Sequence, residues 1–109
     1  MKIFDVYGKI SGSGEHILGS KETGSHACYL IHGVMLPGEQ GREFRPGAGH
    51  EELILALSGD LALSGAFNGV LPQGQAIHLA GEEKCVAGNP SGSEVVYVIA
   101  GGHSMQGHP

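Results

Sequence analysis

Several residue types that point to particular classes of protein are scarce in this chain. Six lysines and arginines stand against eleven aspartates and glutamates, which gives a formal net charge of −5. A nucleic-acid-binding protein needs a basic face, so this balance argues against that class. No apolar run approaches the roughly 20 residues that a membrane-spanning helix requires. We therefore expect neither a nucleic-acid partner nor a membrane partner.

Cysteine is also scarce, because Cys28 and Cys85 are the only two. They form no CxxC pair and no disulfide framework, which predicts two reduced thiols. The N-terminal segment MKIFDVYGKI lacks the apolar core of a signal peptide. These features predict a cytoplasmic protein. A length of 109 residues suits one domain, so we expect residues 1–109 to form a single domain.

Glycine, in contrast, is abundant, with 20 residues spread along the chain. They follow no fixed period and form no low-complexity block, which argues against collagen-like and linker sequences. Glycine also interrupts almost every stretch in which apolar residues could follow a helical period. Short apolar runs separated by turns are what remains, and this pattern is typical of an all-β protein.

The apolar runs predict about eight short strands. Asn68-Gly69 is a strong hairpin signal between two of them, and the stretch 38–49 is expected to be a loop or an irregular edge strand. Strands at this spacing favour a β-sandwich or barrel, with a loose tail over residues 101–109. The predicted strands cover residues 2–7, 26–36, 51–57, 61–67, 70–71, 75–79, 84–87 and 94–100.

Two stretches carry a resemblance to a known family. The stretch LPGEQGREFRPGAGHEELILALSGDLAL, about residues 34–60, resembles the first motif of the cupin superfamily. That motif has a Pro-Gly turn, then His-x-His, then a Glu followed by six residues and a Gly. Pro37-Gly38 matches the turn, and Glu52 with Gly59 matches the second half.

The second stretch, about residues 74–90, reads GQAIHLAGEEKCVAGNPSG and resembles the second cupin motif. Gly74 matches the glycine that opens a strand, and Asn89 matches the final asparagine. The short spacing between the motifs is similar to that of small, single-domain "cupin 2" conserved-barrel proteins. The resemblance implies an all-β double-stranded β-helix, also called a jelly-roll barrel. Because cupins have many activities, it does not imply one of them.

The departures from the motifs concern the metal ligands. The two histidines of His-x-His would fall at Pro46 and Ala48, and the histidine of the second motif would fall at Cys85. Glu52 is the one usual ligand that keeps its place.

A relocated metal site is still conceivable. Side chains alternate along a strand, so His50 and Glu52 share a face and Glu51 lies on the other. The resemblance implies that Glu52 faces the barrel interior, and His50 would then do so too. His78 and Cys85 are further candidate ligands. By the family's usual orientation, the even positions of the strand 26–36 would also face inward. They include the candidate cavity-lining residues Cys28 and His32.

We therefore predict a metal site formed by His50 and Glu52 with His78 or Cys85. Imidazole, carboxylate and thiolate ligands suit a divalent transition metal such as zinc, iron or nickel. The alternative is that these polar groups lie at a wet barrel mouth and are satisfied by water or by one another. Cys85 would then be an inert small hydrophobe.

Three functions are consistent with these residues. The first is binding of a divalent metal, a small organic ligand, or both in the barrel cavity. The second is a metal-dependent enzyme, namely a dioxygenase, isomerase or lyase acting on a small organic acid or sugar. The third is a metal-free binding or interaction module.

Two further expectations concern charge and assembly. Arg42 and Arg45 precede His50 and could meet an anionic substrate, or could simply be solvated. The apolar strands 26–36 and 94–100 would leave exposed edges in a monomer. Pairing of such edges between subunits predicts a homodimer.

Overall fold

The structure, a computed structural model, describes residues 1–104 of the chain. No helix in this range is long and apolar enough to cross a membrane. The range contains one short helix, α1 (Ser20–Thr23), and nine strands: β1 (Gly14–Leu18), β2 (Cys28–Met35), β3 (Arg42–Phe44), β4 (His50–Ala56), β5 (Leu61–Gly65), β6 (Gly69–Leu71), β7 (Ala76–Ala80), β8 (Cys85–Gly88) and β9 (Val95–His103).

The strands form two antiparallel sheets that enclose an apolar core. The larger sheet has the order β1-β2-β9-β4-β7, and the smaller has the order β3-β8-β5-β6. Side chains alternate between the core and the outer face, as the burial pattern of β4 shows for Glu52, Ile54 and Ala56. The all-β class predicted from the sequence is confirmed. The fully buried apolar side chains include Met35, Phe44, Ile54, Leu61, Leu79, Val95 and Tyr97.

The two ends of the described chain differ from the prediction. Residues 2–7 form no strand, and the first strand is Gly14–Leu18, in a stretch without the alternating pattern of a strand. At the other end β9 continues to His103, three residues into the segment that was expected to be loose. The rest of that expected tail, residues 105–109, lies outside the described residues.

The expectation that the two long apolar strands have exposed edges is also wrong. β2 lies between β1 and β9, and β9 lies between β2 and β4, so both long apolar strands are internal. The strands at the edges of the two sheets are β1, β7, β3 and β6. Edge pairing of β2 or β9 therefore cannot be the basis of a dimer.

Two motif residues have clear structural reasons. A Cβ atom at Gly59 would lie 2.7 Å from Cγ2 of Val95, so no larger residue fits there without movement. The amide of Asn89 is buried and its Nδ2 donates to three backbone carbonyl oxygens, those of Met35, Leu36 and Ser93, at 3.2, 3.0 and 2.7 Å. Asn89 thus ties the turn after β8 to the end of β2 by satisfying buried carbonyls.

A buried tyrosine crosses the inner face of the larger sheet. Tyr97 of β9 is fully buried, and its ring lies over Gly33, its partner on β2. Its hydroxyl reaches one strand further and donates to the carboxylate of Glu15, the β1 partner of Gly33. Burial and the neighbouring Glu15 carboxylate raise the pKa of the Tyr97 hydroxyl, so it remains a donor. Gly33 is required because any side chain would occupy the space of the ring.

Arg42 extends this contact to the smaller sheet. Its Nη1 donates to the Tyr97 hydroxyl at 2.6 Å, and its Nη2 donates to the Val34 carbonyl at 3.2 Å and to Glu39 at 2.8 Å. β1 and β3 are edge strands of different sheets. The network therefore joins the two sheets along this side of the barrel, with charge-assisted hydrogen bonds.

We expect Gly33→Ala to destabilise the fold strongly. The new Cβ would lie 2.1 Å from Cζ of Tyr97, which is too close for any rotamer of a packed ring. Overpacking of this kind costs about 1–3 kcal/mol of unfolding free energy. Guanidinium unfolding followed by circular dichroism measures the loss.

Gly92→Ala is the matched control, because nothing lies within 4 Å of its Cβ position and its φ is not in the left-handed region. It should change the unfolding free energy by less than about 0.5 kcal/mol. Equal stability of the two variants would show that the ring does not depend on Gly33.

Candidate functional site

The barrel has one open end with a polar lining. A cavity of about 360 Å³ lies where β2 and β4 begin and where β9 ends, and we call it the mouth cavity. Its wall also includes Pro46, Ile17 and Ile31, which make part of it apolar. The polar side chains that line it are Ser20, Ser25, His26, Cys28, Tyr29, His50, Glu52 and His103.

A second tyrosine crosses the sheet at this mouth. Tyr29 of β2 lies over Gly101 of β9, where an added Cβ would be 2.3 Å from Tyr29 Cζ. Its hydroxyl donates to Oε2 of Glu52 on β4, the next strand, at 2.5 Å. Burial, followed by the hydrogen bond to Glu52 and its charge, raises the pKa of Tyr29. One oxygen of the buried Glu52 carboxylate is therefore already committed.

His50 forms the rim of the mouth cavity beside this pair. Its Nδ1 lies 3.1 Å from the backbone oxygen of Ala48. A carbonyl oxygen only accepts, so the contact is a hydrogen bond when Nδ1 carries the proton. In the neutral ring Nε2 then has the free lone pair. The ring centroid lies 5.2 Å from that of His103 and 6.2 Å from that of Tyr29.

His103 is a site residue that the sequence reasoning missed. It was assigned to the loose tail, but it is the register partner of His50 on β9. The signal was available in the alternation of β9, since Tyr97, Ile99 and Gly101 face inward and His103 continues that set. Glycines at 101 and 102 concealed it, because they look like the end of a strand.

The other predicted ligands lie elsewhere. Cys85 is fully buried in the apolar core and is the register partner of Phe44. His78 lies on the outer face of the larger sheet, where its Nε2 is 2.8 Å from Oε1 of Glu51. The predicted set is therefore divided, with His50 and Glu52 at the mouth cavity and the other two away from it.

The expected orientation of β2 is wrong. Its odd positions face the core, as the contacts of Tyr29 and the burial of Ile31 and Met35 show. His32 is buried on the outer face instead, against the ring of Tyr7. Cys28, at another even position, is exposed, but it does line the mouth cavity at the start of the strand, as was predicted for it. The physical reason is that the inner face of β2 must present Gly33 to Tyr97.

The residues present do not fit the metal centre that the cupin resemblance implies. Within residues 1–104, no group of three or more His, Cys, Asp or Glu side chains could hold a metal ion. Pro46, at the place of a ligand histidine, lines the mouth cavity without a donor atom. Glu52, the retained position, shares an oxygen with Tyr29. What the cavity does offer is a carboxylate acceptor and three imidazoles, those of His26, His50 and His103.

The two arginines before His50 are engaged by acidic side chains. Arg42 belongs to the Tyr97 network and lies 2.8 Å from Glu39. Arg45 is half exposed and lies 3.5 Å from Glu82 and 3.7 Å from Glu43. Neither lines the mouth cavity, so among its described lining residues the imidazoles are the groups that can become cationic.

A larger concave surface lies on the outside of the barrel. This outer-face groove, of about 640 Å³, crosses the larger sheet, and Cys28 and the Glu51–His78 pair border it. Tyr29, Glu52 and His103 of the mouth cavity also line it. Leu53 is 51% exposed in it. Its apolar floor is formed by Leu18, Leu30, Leu53 and Ala100.

Comparisons with solved structures agree with the predicted architecture. A "Cupin 2 conserved barrel domain protein" from Salinispora arenicola has a TM-score of 0.75 at 14% identity, covering 98% of this chain and 92% of its own. An RmlC-like cupin with a double-stranded β-helix from Methanocaldococcus jannaschii has a TM-score of 0.69 at 10% identity, covering 94% and 91%. No family model and no curated protein matches the sequence.

Oxalate oxidase in complex with glycolate is also similar, with a TM-score of 0.72 and 15% identity. The match covers 84% of this chain and 51% of that chain, so it spans about half of the oxidase. Identities this low show the fold alone. The chain therefore has the cupin fold, an all-β double-stranded β-helix, as the two motifs predicted.

We expect the Tyr29–Glu52 pair to make the unfolding free energy decrease with pH in the alkaline range. The folded state holds the Tyr29 proton more tightly than the unfolded chain, in which a tyrosine ionises near pH 10. The contribution is therefore fully present below about pH 10 and declines as the pH rises above it. Tyr29→Phe removes this titration. Above about pH 10 its unfolding free energy should therefore fall less steeply with pH than that of the wild type, because unfolding releases about one proton fewer.

Urea unfolding at a series of pH values measures the slope for both proteins. Tyr29→Phe should also be less stable at neutral pH, because Glu52 would be left buried with an unpaired oxygen. Parallel stability curves above about pH 10 would contradict the pairing.

Proposed function

We propose that the mouth cavity binds a small hydroxy acid without a metal ion. The observation that carries the proposal is the lining itself, in which the buried Glu52 carboxylate shares one cavity with His50 and His103. The positions of the expected metal ligands meanwhile hold Pro46, Ala48 and Cys85. A cavity of about 360 Å³ is at the lower end of the size range of small-molecule sites.

The chemistry of the lining suits both ends of such a molecule. Tyr29 holds one oxygen of Glu52, and the other carboxylate oxygen can accept a hydrogen bond from a hydroxyl group. A ligand carboxylate would meet the imidazole wall, where protonated His50 has an Nε2–H group to donate. Since imidazole gains charge between about pH 5 and 8, we expect binding of the anion to strengthen as the pH falls.

Two structural neighbours support the choice of ligand class. One is the oxalate oxidase in complex with glycolate, and another is described as a predicted oxalate decarboxylase from Thermotoga maritima, with a TM-score of 0.67 at 12% identity. Those names concern small organic acids. Glycolate, the smallest hydroxy acid, is therefore the probe with which we would begin.

The competing proposal is a divalent metal, such as zinc, iron or nickel, held by His50 and Glu52, with or without an enzyme activity built on it. Its support is that both side chains lie at the mouth cavity and that Nε2 of His50 has a free lone pair in the neutral ring. His78 and Cys85 are too dispersed to complete the site. We rank it second because a transition metal needs three or four converging protein ligands.

Glycolate should bind wild-type protein in the presence of excess EDTA. Titration of nitrogen-15-labelled protein should shift the amide signals of residues 50–52 and 101–103. Acetate lacks the hydroxyl group, so it should bind at least about tenfold more weakly, as expected for one lost hydrogen bond to a charged group. Glu52→Gln and His50→Gln should each abolish the shifts.

His78→Gln is the matched control, because His78 is a histidine on the opposite face of the same sheet. It should bind glycolate like the wild type. Binding that disappears with EDTA and returns with zinc, iron or nickel would favour the metal proposal. An equivalent of transition metal in protein purified without a nickel column would do the same.

We also propose that the chain forms a homodimer through the outer-face groove. Support comes from the apolar floor of the groove, in which Leu53 and Ala100 are exposed to water. Exposed apolar patches of this kind commonly mark contacts between proteins. A second copy of the same groove could cover them by a two-fold contact.

A cytoplasmic location, which the two free cysteines favour, stays a prediction.

Leu53→Asp should convert the dimer to a monomer, because it places two charges in one apolar contact. Val70→Asp is the control, since Val70 is 53% exposed and Leu53 is 51% exposed, but Val70 lies on the smaller sheet. Sedimentation velocity measures both. A wild-type protein that sediments as an 11.2 kDa species would contradict the proposal.

A further inference from the structure

One buried side chain has no role in either the core or the mouth cavity. His32 lies on the outer face of the larger sheet, only 6% exposed, and neither of its ring nitrogens has a hydrogen-bond partner among residues 1–104. Buried polar atoms without partners are rare and costly, so a neutral imidazole held there is a strained arrangement. A charged imidazole in the same place would cost considerably more.

The N-terminal segment, residues 1–13, is what covers this histidine. It forms no strand or helix, and the ring of Tyr7 lies 5.0 Å from the His32 ring. Phe4, Val6 and Ile10 of the segment are half-buried, while Tyr7 itself is 75% exposed. Ser13, the last residue of the segment, is held by hydrogen bonds to Glu39 and Arg42 at 2.8 and 2.9 Å. The part before it is attached through a few apolar side chains, which makes its local stability low.

Among the described residues, none of those that pair with His32 or contact its ring is a carboxylate. His16 is its register partner on β1, and Val98 is its partner on β9. Tyr7 contacts it from the N-terminal segment, whose nearby charged residues, Asp5 and Lys9, are exposed. If His16 also gains a proton, it adds a like charge on the neighbouring strand.

We propose that protonation of His32 releases the N-terminal segment from the sheet. The imidazolium needs hydrogen-bond acceptors, and water can supply them once Tyr7 has moved away. Release also exposes Val34, which is 8% exposed on the same face of β2. Because Leu30 of the same strand already lies in the outer-face groove, the newly exposed surface is continuous with it. Acidification thus extends the apolar surface on this side of the barrel.

Tyr7→Trp provides the reporter, because the natural chain has no tryptophan and the introduced indole is then the only one. The fluorescence anisotropy of this indole should fall and its emission maximum should shift to the red as the pH is lowered from about 8 to about 5. His32→Leu and His32→Gln, each combined with Tyr7→Trp, cannot be protonated. Both double variants should keep high anisotropy over the whole range.

His16→Gln combined with Tyr7→Trp separates the two histidines. It should still release the segment when the pH is lowered, because His32 is intact. Far-UV circular dichroism must stay constant, which distinguishes release from unfolding. Should one His32 variant fail to fold, the other carries the test. Carbon-13 chemical shifts of the His32 ring in the wild-type protein check the same point without mutation, since its titration should coincide with signal changes in residues 1–13.

Anisotropy that is constant down to about pH 5 in Tyr7→Trp would overturn the proposal. A fall of the same size in the His32 double variants would also overturn it, because another group would then be responsible. None of these outcomes depends on what the mouth cavity binds.

Discussion

Two tyrosines laid across glycines organise this barrel. Each ring lies over a glycine of the neighbouring strand. Each hydroxyl donates a hydrogen bond to a glutamate one strand further. The rows are Tyr97–Gly33–Glu15 and Tyr29–Gly101–Glu52. A ring placed in this way leaves no room for a Cβ atom beneath it, so the residue on the neighbouring strand has to be glycine. In the second row it also satisfies the buried carboxylate of Glu52, which is the usual condition for burying a charged group.

The same contact decides what the mouth cavity can do. Since Tyr29 occupies one oxygen of Glu52, this carboxylate is less available as a metal ligand and is positioned as a hydrogen-bond acceptor. The imidazoles of His50 and His103 lie nearby on paired strands. The fold does not require metal ligands, so the barrel keeps its architecture with Pro46, Ala48 and Cys85 at the positions where the motifs have them.

The outer face of the larger sheet is divided into two parts. The part around His32 and Val34 is covered, with the Tyr7 ring against His32, whereas the part around Leu30 and Leu53 is open. Both parts are apolar because β2, β9 and β4 are internal strands with apolar residues on both faces. This apolarity alone does not distinguish internal strands from exposed edges, because hydrophobic content does not reveal the order of strands in a sheet.

Residue identity and glycine spacing were enough to predict the all-β class, the cupin motifs and the loss of the usual ligands at Pro46, Ala48 and Cys85. They also placed His50 and Glu52 on one face, since alternation within a strand is local. The pairing of distant strands was needed to show that His32 and His78 lie outside and that His103 lies at the mouth. Which face of a strand meets the core depends on its partners, and here the two tyrosine rings select the face of β2 that carries Gly33.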